Sequence, residues 1–181
     1  HGIINHPGTG KSKIRSVKEV LSGGSPLAVE ILRKFEELSG APVIEGFGLS
    51  EVPYGIAYNP VNGVHKPGSV GVPMPNVDVR IVDVETGTKD MPAGAPGEMI
   101  FKTPQAVSGY WHNPGETAGV LRDGWLYTGD IGYMDEDGYI FIVDRKKDVL
   151  LCSGFNVYPR EIDEVLYTNP KVLEACTIGV P

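Results

Sequence analysis

The sequence predicts a mixed fold, α/β plus antiparallel β, in three stretches: an α/β crossover, a run of antiparallel strands, and the first elements of a second α/β unit. Three observations predict it. Apolar residues recur at helical spacing over Leu27, Ile31, Phe35 and Leu38, between two short apolar stretches that read as strands. Further along, the period drops to two, as in Val77-Asp78-Val79-Arg80-Ile81, and clusters of turn-forming residues interrupt the chain. After the charged run Asp144-Arg145-Lys146-Lys147-Asp148 the pattern returns to strand and helix.

Residues 17–21 read as a short strand or helix end leading into Ser22-Gly23-Gly24-Ser25-Pro26. Ser25 suits a helix N-cap, and Pro26 suits the first helical position, where its missing N–H costs nothing. Ala28 and Leu32 flank the apolar face of this helix, and Gly40 is its expected stop. Pro42-Val43-Ile44 reads as a buried strand running into Glu45-Gly46-Phe47-Gly48-Leu49-Ser50-Glu51, which places a glycine-rich turn at each end of the crossover. The turn clusters Glu85-Thr86-Gly87 and 92–97 separate strands at 77–81 and 98–102. Asp135-Glu136-Asp137-Gly138 closes a hairpin between 127–134 and 139–143. Residues 68–143 are therefore expected to be mostly antiparallel sheet. A strand at 149–152, a helix over Pro159–Tyr167 and a strand near 175–180 complete the reading.

A chain of 181 residues suggests one domain and a fraction, enough to remove roughly 70% of the unfolded surface from water. Sixteen Lys+Arg against 23 Asp+Glu give a formal charge of −7, which argues against a nucleic-acid partner. The apolar runs, such as 139–143, are too short to span a bilayer, and no signal peptide opens the chain. Two cysteines, Cys152 and Cys176, make no disulfide framework and suit a reducing compartment, so a cytoplasmic location is expected. The chain opens at His1 without Met and stops at Pro181 after an apolar stretch, and it reads as a piece of something longer.

Pro7-Gly8-Thr9-Gly10-Lys11-Ser12 looks like the end of a phosphate-cradling loop, with 139–143 and Asp144 as its magnesium-side strand. Asn5 occupies the place of the first glycine, and the chain start leaves no strand to launch the loop. A surface turn is the preferred reading. A P-loop nucleoside-triphosphatase fragment stays as the alternative.

Four separated segments make better chemical sense together. Gly23-Gly24 is a turn where a flat ring can approach backbone, because no Cβ blocks it. Phe47, Ser50 and Glu51 place an aromatic, a hydroxyl and a carboxylate within five residues. These suit a nucleobase face (stacking on the order of 1–3 kcal/mol), a phosphate oxygen and Mg²⁺. Tyr127-Thr128-Gly129-Asp130 puts an acid after a glycine turn, an acceptor pair for two vicinal ribose hydroxyls, and Arg145 adds a fixed cation. Each also has a plain structural reading: an ordinary turn, a core ring, a turn cap, and a surface ion pair worth at most about 1 kcal/mol.

The ordered strings SGGSPL at 22–27, EGFGLSE at 45–51, GYW at 109–111, GWLYTGDIG at 124–132, DGYIFIVDRKKD at 137–148 and SGFNVYPREIDEVL at 153–166 carry a resemblance across nearly the whole chain. Together the chain resembles the adenylate-forming, or AMP-binding, superfamily of acyl-CoA synthetases, adenylation domains and beetle luciferases. Asn5-His6-Pro7 is similar to the loop ahead of the Gly-Gly turn, and the wording of DRKKD and SGFNVYPREI is similar to that of fatty acid–CoA ligases.

The resemblance implies an ATP-dependent acid–thiol ligase acting in two steps. A carboxylate attacks the α-phosphate of ATP to give acyl-AMP and pyrophosphate, and the CoA thiol then displaces AMP. The implied cofactors are ATP, Mg²⁺ and CoA. The implied nucleotide-binding residues are Gly23, Gly24 and Ser25, then Glu45, Gly46, Phe47, Gly48 and Ser50, and finally Asp130, Arg145 and Asn156. Phe47 would stack on adenine, where many relatives carry Tyr. Asp130 and Arg145 would hold the ribose hydroxyls, and Asn156 would lie near the adenylate. Ser50 and Glu51 are the implied catalytic pair, Ser50 touching phosphate and Glu51 holding Mg²⁺.

Lys147 matches the family's hinge, and Gly154 would let the CoA arm pass. Residues 1–143 would then be the distal part of a large domain, with an α/β portion at 1–52 and a β-rich portion at 53–143. Residues 144–148 would be the hinge, and 149–181 the beginning of a small C-terminal α+β domain. No match to the family's upstream phosphate loop is found, and its distal lysine would lie past Pro181, so the chain alone is expected to be inactive. A non-catalytic module with the same fold is a further alternative. The identity of the acid, peripheral membrane association and homo-oligomer formation stay open.

Overall fold

The computed structural model describes residues 2–9, 14–169 and 171–180. Gly10, Lys11 and Ser12 of the phosphate-loop-like string lie outside the described residues. Pro7 and Gly8 form a turn after the short helix α1 (Gly2–Asn5), and the Thr9 hydroxyl donates to the Ile3 carbonyl at 2.5 Å.

The expected crossover is present. Strand β1 (Val20–Ser22) leads through helix α2 (Val29–Ser39) to strand β2 (Val43–Leu49), and β1 lies parallel to β2 with Val20 opposite Val43. Gly40 stops α2 in the left-handed conformation (φ 73°), its N–H donating to the Glu36 carbonyl at 2.7 Å.

The helix start differs from expectation. Ala28, not Ser25, is the N-cap, and it makes no side-chain capping bond. Residues 25–28 line a cleft, with Leu27 and Ala28 half-buried. Packing of these two residues outweighs a local cap preference of about 1 kcal/mol.

A second correction concerns 45–49, which is strand rather than glycine-rich turn. Strand β2 runs through Leu49, and Ser50-Glu51 alone turn the chain into the antiparallel β3 (Val52–Tyr58), with Leu49 opposite Val52. The glycines serve close approach here: a Cβ on Gly46 would overlap the Tyr58 ring.

Strand β4 (Val72–Pro73) completes the first sheet in the order β1-β2-β3-β4. The second sheet is antiparallel, as expected, and contains β5 (Asp78–Val82), β6 (Gly97–Lys102), β7 (Leu121–Arg122), β8 (Trp125–Met134) and β9 (Ile140–Arg145). The long strand β8 is central, pairing with β6 along one edge and with β7 and then β9 along the other.

Helix α3 (Pro114–Val120) was not anticipated, although its start is readable. The Asn113 side chain accepts from the Glu116 N–H, and Pro114 occupies the first turn. Beyond β9 lie β10 (Leu150–Cys152) and helix α4 (Pro159–Tyr167), as the pattern predicted, and between them an unanticipated strand β11 (Phe155–Val157) that pairs with β10 as a hairpin. The strand expected near 175–180 does not form. Side chains of α4 hold the segment instead, the Thr177 hydroxyl donating to Asp163 at 2.7 Å and the Ala175 N–H to the Tyr167 hydroxyl at 3.4 Å.

The core lies between the two sheets and includes Val52, Ile56, Ala57, Met99, Phe101, Leu126 and Ile140. Val70 N–H to the Ile140 carbonyl (2.9 Å) and Ile140 N–H to the Gly71 carbonyl (2.8 Å) stitch the segment before β4 to β9. The 59–69 loop is clamped at its Lys66, which bonds Asp135 at 2.5 Å and Asp137 at 2.7 Å on the β8–β9 turn and lies 4.5 Å from the Tyr139 ring centre.

The Lys66 hydrogen bond depresses the Asp135 carboxyl. A depressed carboxylate contributes stability above its unfolded value, and that contribution is lost as pH falls through the folded one. Lys66→Met is therefore expected to lower the melting temperature at pH 7. The difference from the wild type should shrink as pH falls through the acid range, and a difference that stays constant with pH would refute the clamp.

Candidate functional site

The two sheets, the β1–α2 junction and α4 enclose a cleft of about 940 Å³. Gly24 and Ser25 border it from the junction, and Glu45, Gly46, Phe47 and Gly48 from β2. Asp130 enters from β8, Arg145 from β9, and Lys147 lies just after β9. These nine of the residues singled out from the sequence share one cavity. Gly23 and Ser50 line an adjoining cavity of about 540 Å³ that shares the 46–49 segment. Glu51, Gly154 and Asn156 border neither cavity. Gly154 and Asn156 lie on the exposed β10–β11 hairpin.

Phe47 is half-buried, with its ring centre 5.9 Å from that of Phe101 and the planes tilted by 45°. The core therefore fixes a ring that also lines the cleft. Gly23 stands where a Cβ would lie 3.1 Å from the Gly46 carbonyl oxygen, which keeps the junction close to β2.

Asp130 and Arg145 are direct cross-strand partners in β8 and β9. Arg145 Nε lies 3.3 Å from Asp130 Oδ1; the Asp130 side chain is 6% exposed and that of Arg145 is 59% exposed. Burial pushes the Asp130 carboxyl up, and the Arg145 charge opposes the shift. The result is a desolvated acceptor beside a solvated cation, an arrangement that can receive two neighbouring hydroxyls.

Glu45 is buried in the cleft wall, and burial raises its carboxyl; the Gly68 N–H (3.2 Å) and the Arg160 charge act in the opposite direction.

Glu51 is half-buried at the β2–β3 turn. Its Oε1 accepts the Tyr110 hydroxyl at 2.5 Å, and its carbonyl accepts the Val107 N–H at 2.9 Å. That hydrogen bond, together with partial burial, raises the Tyr110 phenol. The Glu51 charge also contributes to the upward shift of Asp130, so the two carboxylates share one electrostatic neighbourhood. Among the described residues no group of three or more His, Cys, Asp or Glu could cage a metal. A lone carboxylate fits Mg²⁺, which keeps several waters and is usually held by one or two carboxylates plus substrate phosphates.

Lys147 is exposed in a turn at the cleft rim. Its neighbours are anchored, with Lys146 N–H bonded to the Gly129 carbonyl at 2.8 Å and Asp148 N–H to the Arg145 carbonyl at 2.9 Å.

Tyr110, Glu98 and Lys146 were not singled out from the sequence. Tyr110 lies in the GYW string, but its partner is 59 residues away. Glu98 carried a readable signal, a charge inside the apolar strand Gly97–Lys102, and a buried charge of that kind calls for a partner.

The AMP-binding enzyme family model matches residues 1–111. The chain is 47% identical over 180 residues to a long-chain-fatty-acid–CoA ligase of Bacillus subtilis strain 168, covering 99% of this chain and 32% of that protein. Among solved structures it resembles the anthranilate CoA ligase AuaEII in complex with anthranoyl-AMP, with a TM-score of 0.91 and 29% identity over 99% of this chain and 34% of that one. It also resembles ATP-bound MatB from Rhodopseudomonas palustris, with a TM-score of 0.85 and 40% identity over 89% of this chain and 32% of that one. The chain thus spans about a third of the length of the relatives it matches. The phosphate-loop alternative finds no support among them.

Asp130 carries a testable consequence of its burial. A carboxyl raised above its ordinary value of 3.8 favours the fold at low pH and costs stability as pH rises through the raised value. The melting temperature of Asp130→Asn relative to the wild type is therefore expected to climb between pH 4 and pH 7. A relative fall over that interval would show that the Arg145 bridge, rather than burial, dominates.

Proposed function

We propose that this chain, which belongs to the AMP-binding enzyme family, supplies the nucleoside-binding cleft of an ATP-dependent acid–thiol ligase. The ligase activates a carboxylic acid as acyl-AMP and passes the acyl group to the thiol of CoA. Similarity to long-chain-fatty-acid–CoA ligases favours a fatty acid as the substrate. The observation that carries the reading is the convergence on one cleft of a core-fixed aromatic, Phe47, and a buried carboxylate with its cation, Asp130 and Arg145.

Phe47 offers adenine a face whose orientation is set by Phe101. Asp130 accepts from the ribose hydroxyls, and Arg145, whose charge favours the ionised carboxylate, donates to the sugar. Gly24, Ser25, Gly46 and Gly48 line the cleft where the base would lie, and Gly23 draws the β1–α2 junction against β2 beside it. Glu45 contributes a polar wall there. Ser50, exposed on the β2–β3 turn, would reach the phosphates, and Glu51 beside it would hold Mg²⁺, which would supply charge neutralisation at phosphorus. Transfer at phosphorus asks a protein mainly to position groups and offset charge. In the first step the acid's oxygen bonds to the α-phosphorus and pyrophosphate leaves. In the second the CoA sulfur bonds to the acyl carbon and AMP leaves.

In this reading 1–143 belong to a large domain, 144–148 to a hinge centred on Lys147, and 149–181 to a smaller, mobile unit. Gly154 and Asn156 lie away from the cleft here. Rotation of the smaller unit about Lys147 brings Asn156 to the adenylate and Gly154 to the path of CoA. A cytoplasmic setting suits the two exposed free cysteines, and no helix among the described residues is long and apolar enough to cross a membrane.

Titration calorimetry with AMP tests the cleft. Phe47→Ala is expected to weaken AMP about tenfold or more, the loss of one base stack. Equal affinity in the variant would remove adenine from this site. Isotope exchange between pyrophosphate and ATP tests the chemistry in the full-length protein. Exchange is expected only when a fatty acid is present, and exchange independent of any carboxylic acid would sink the ligase reading.

A further inference from the structure

Glu98 is a buried carboxylate on β6, 5% exposed, and each of its oxygens has a separate task. Oε1 accepts the Gly129 N–H at 3.2 Å, and Oε2 takes Lys146 Nζ at 2.9 Å. Gly129 directly precedes Asp130, and Lys146 directly follows Arg145. The ring closes through the Lys146 N–H, which donates to the Gly129 carbonyl at 2.8 Å. One carboxylate thereby ties the residue before the acid to the residue after the cation.

The strand ladder cannot do this alone. The register shifts between Glu98 and Ile100 where β6 meets β8, and again between Ile131 and Gly132 where β8 meets β9. Asp130 thus stands beside two irregularities, where regular pairing no longer dictates side-chain direction. Gly129 adopts φ 70°, a turn that needs an external hold. A second hold comes from Thr128, whose hydroxyl donates to the Met99 carbonyl at 2.8 Å and accepts the Asp130 N–H at 3.0 Å. The pair joins a lysine whose side chain is 42% exposed to a carboxylate side chain only 7% exposed, so solvent screens one partner while the other depends on it. An unpaired Glu98 would also set a second negative charge beside Asp130.

We propose that Glu98 and Lys146 are positioning residues that aim the Asp130–Arg145 pair at the vicinal diol of a bound nucleoside. The proposal rests on the nucleotide reading of the cleft. Selectivity for a ribose over a sugar without hydroxyls then depends on two residues that touch no ligand.

Calorimetric titration with AMP and with 2′,3′-dideoxy-AMP tests it in the wild type, Glu98→Gln, Lys146→Met and Lys146→Arg. The wild type is expected to prefer AMP. Glu98→Gln and Lys146→Met should weaken AMP about tenfold and leave dideoxy-AMP unchanged, while Lys146→Arg keeps the wild-type preference. Should Glu98→Gln lose its cooperative melting, the surface variant Lys146→Met carries the test. A parallel loss of both nucleotides, or no loss of either, overturns the positioning role. Wild type binding AMP and dideoxy-AMP equally overturns the diol assignment but leaves the cleft as a nucleotide site. Wild type binding neither overturns the nucleotide reading, and this proposal with it.

Discussion

Asp130 faces Arg145 across a β8–β9 ladder that starts from a tight turn and shifts once, between Ile131 and Gly132, before it reaches the pair. The Asp135 N–H donates to the Tyr139 carbonyl at 2.9 Å, and Gly138 N–H returns to the Asp135 carbonyl at 3.0 Å. The Asp135 carboxylate accepts the N–H groups of both Asp137 and Tyr139. A slip of one residue would send each side chain of β9 to the opposite face, parting the acid from its cation. Other features lean on the same register. Ile140 carries the ties to Val70 and Gly71 that hold the two sheets together, and Asp144 accepts the Arg160 N–H at 3.1 Å where α4 begins. Arg160 also donates to the Ile142 carbonyl at 3.0 Å, so the far wall of the cleft hangs on β9 as well.

The elements legible in the sequence are those that local chemistry decides. Gly40 ends α2 because the left-handed conformation needs no partner, and Pro159 opens α4 because its fixed φ and missing N–H suit a first turn. The Asp135–Gly138 turn was readable for the same reason. What was missed depends on distant partners. Ser25 has a good capping side chain, but residues 25–28 follow the cleft wall instead. Residues 175–180 have strand composition but are held by side chains of α4 rather than by a ladder. The candidate site divides the same way. Its residue types and order could be read, and so the cleft residues were named. The Tyr110–Glu51 bond and the Glu98–Lys146 pair span 59 and 48 positions, and although Glu98 signals a need for a partner, no local pattern names the partner in either case.

The glycine-rich stretch of β2 shows how one composition serves two structures. Read locally, Gly46 and Gly48 suggest a turn. In the fold they are strand positions where the neighbouring chain comes too close for a side chain, Tyr58 at Gly46 and the Gly55 backbone at Gly48. The cleft wall carries no side chains at these two glycines, and Phe47 between them, packed beside Phe101, supplies its aromatic face.

The cleft is also mechanically uneven. One side is sheet, with ladder hydrogen bonds and core behind it. The other includes 175–179, irregular backbone tied down by side chains: the Thr177 hydroxyl donates to Asp163 at 2.7 Å, and the Ala175 N–H to the Tyr167 hydroxyl at 3.4 Å. Segments held this way open at lower free energy than strands in a ladder. An oversized occupant would therefore be accommodated by displacing the compliant side, while the sheet keeps its shape. Size tolerance and orientational accuracy, which usually compete within one pocket, are here assigned to opposite walls.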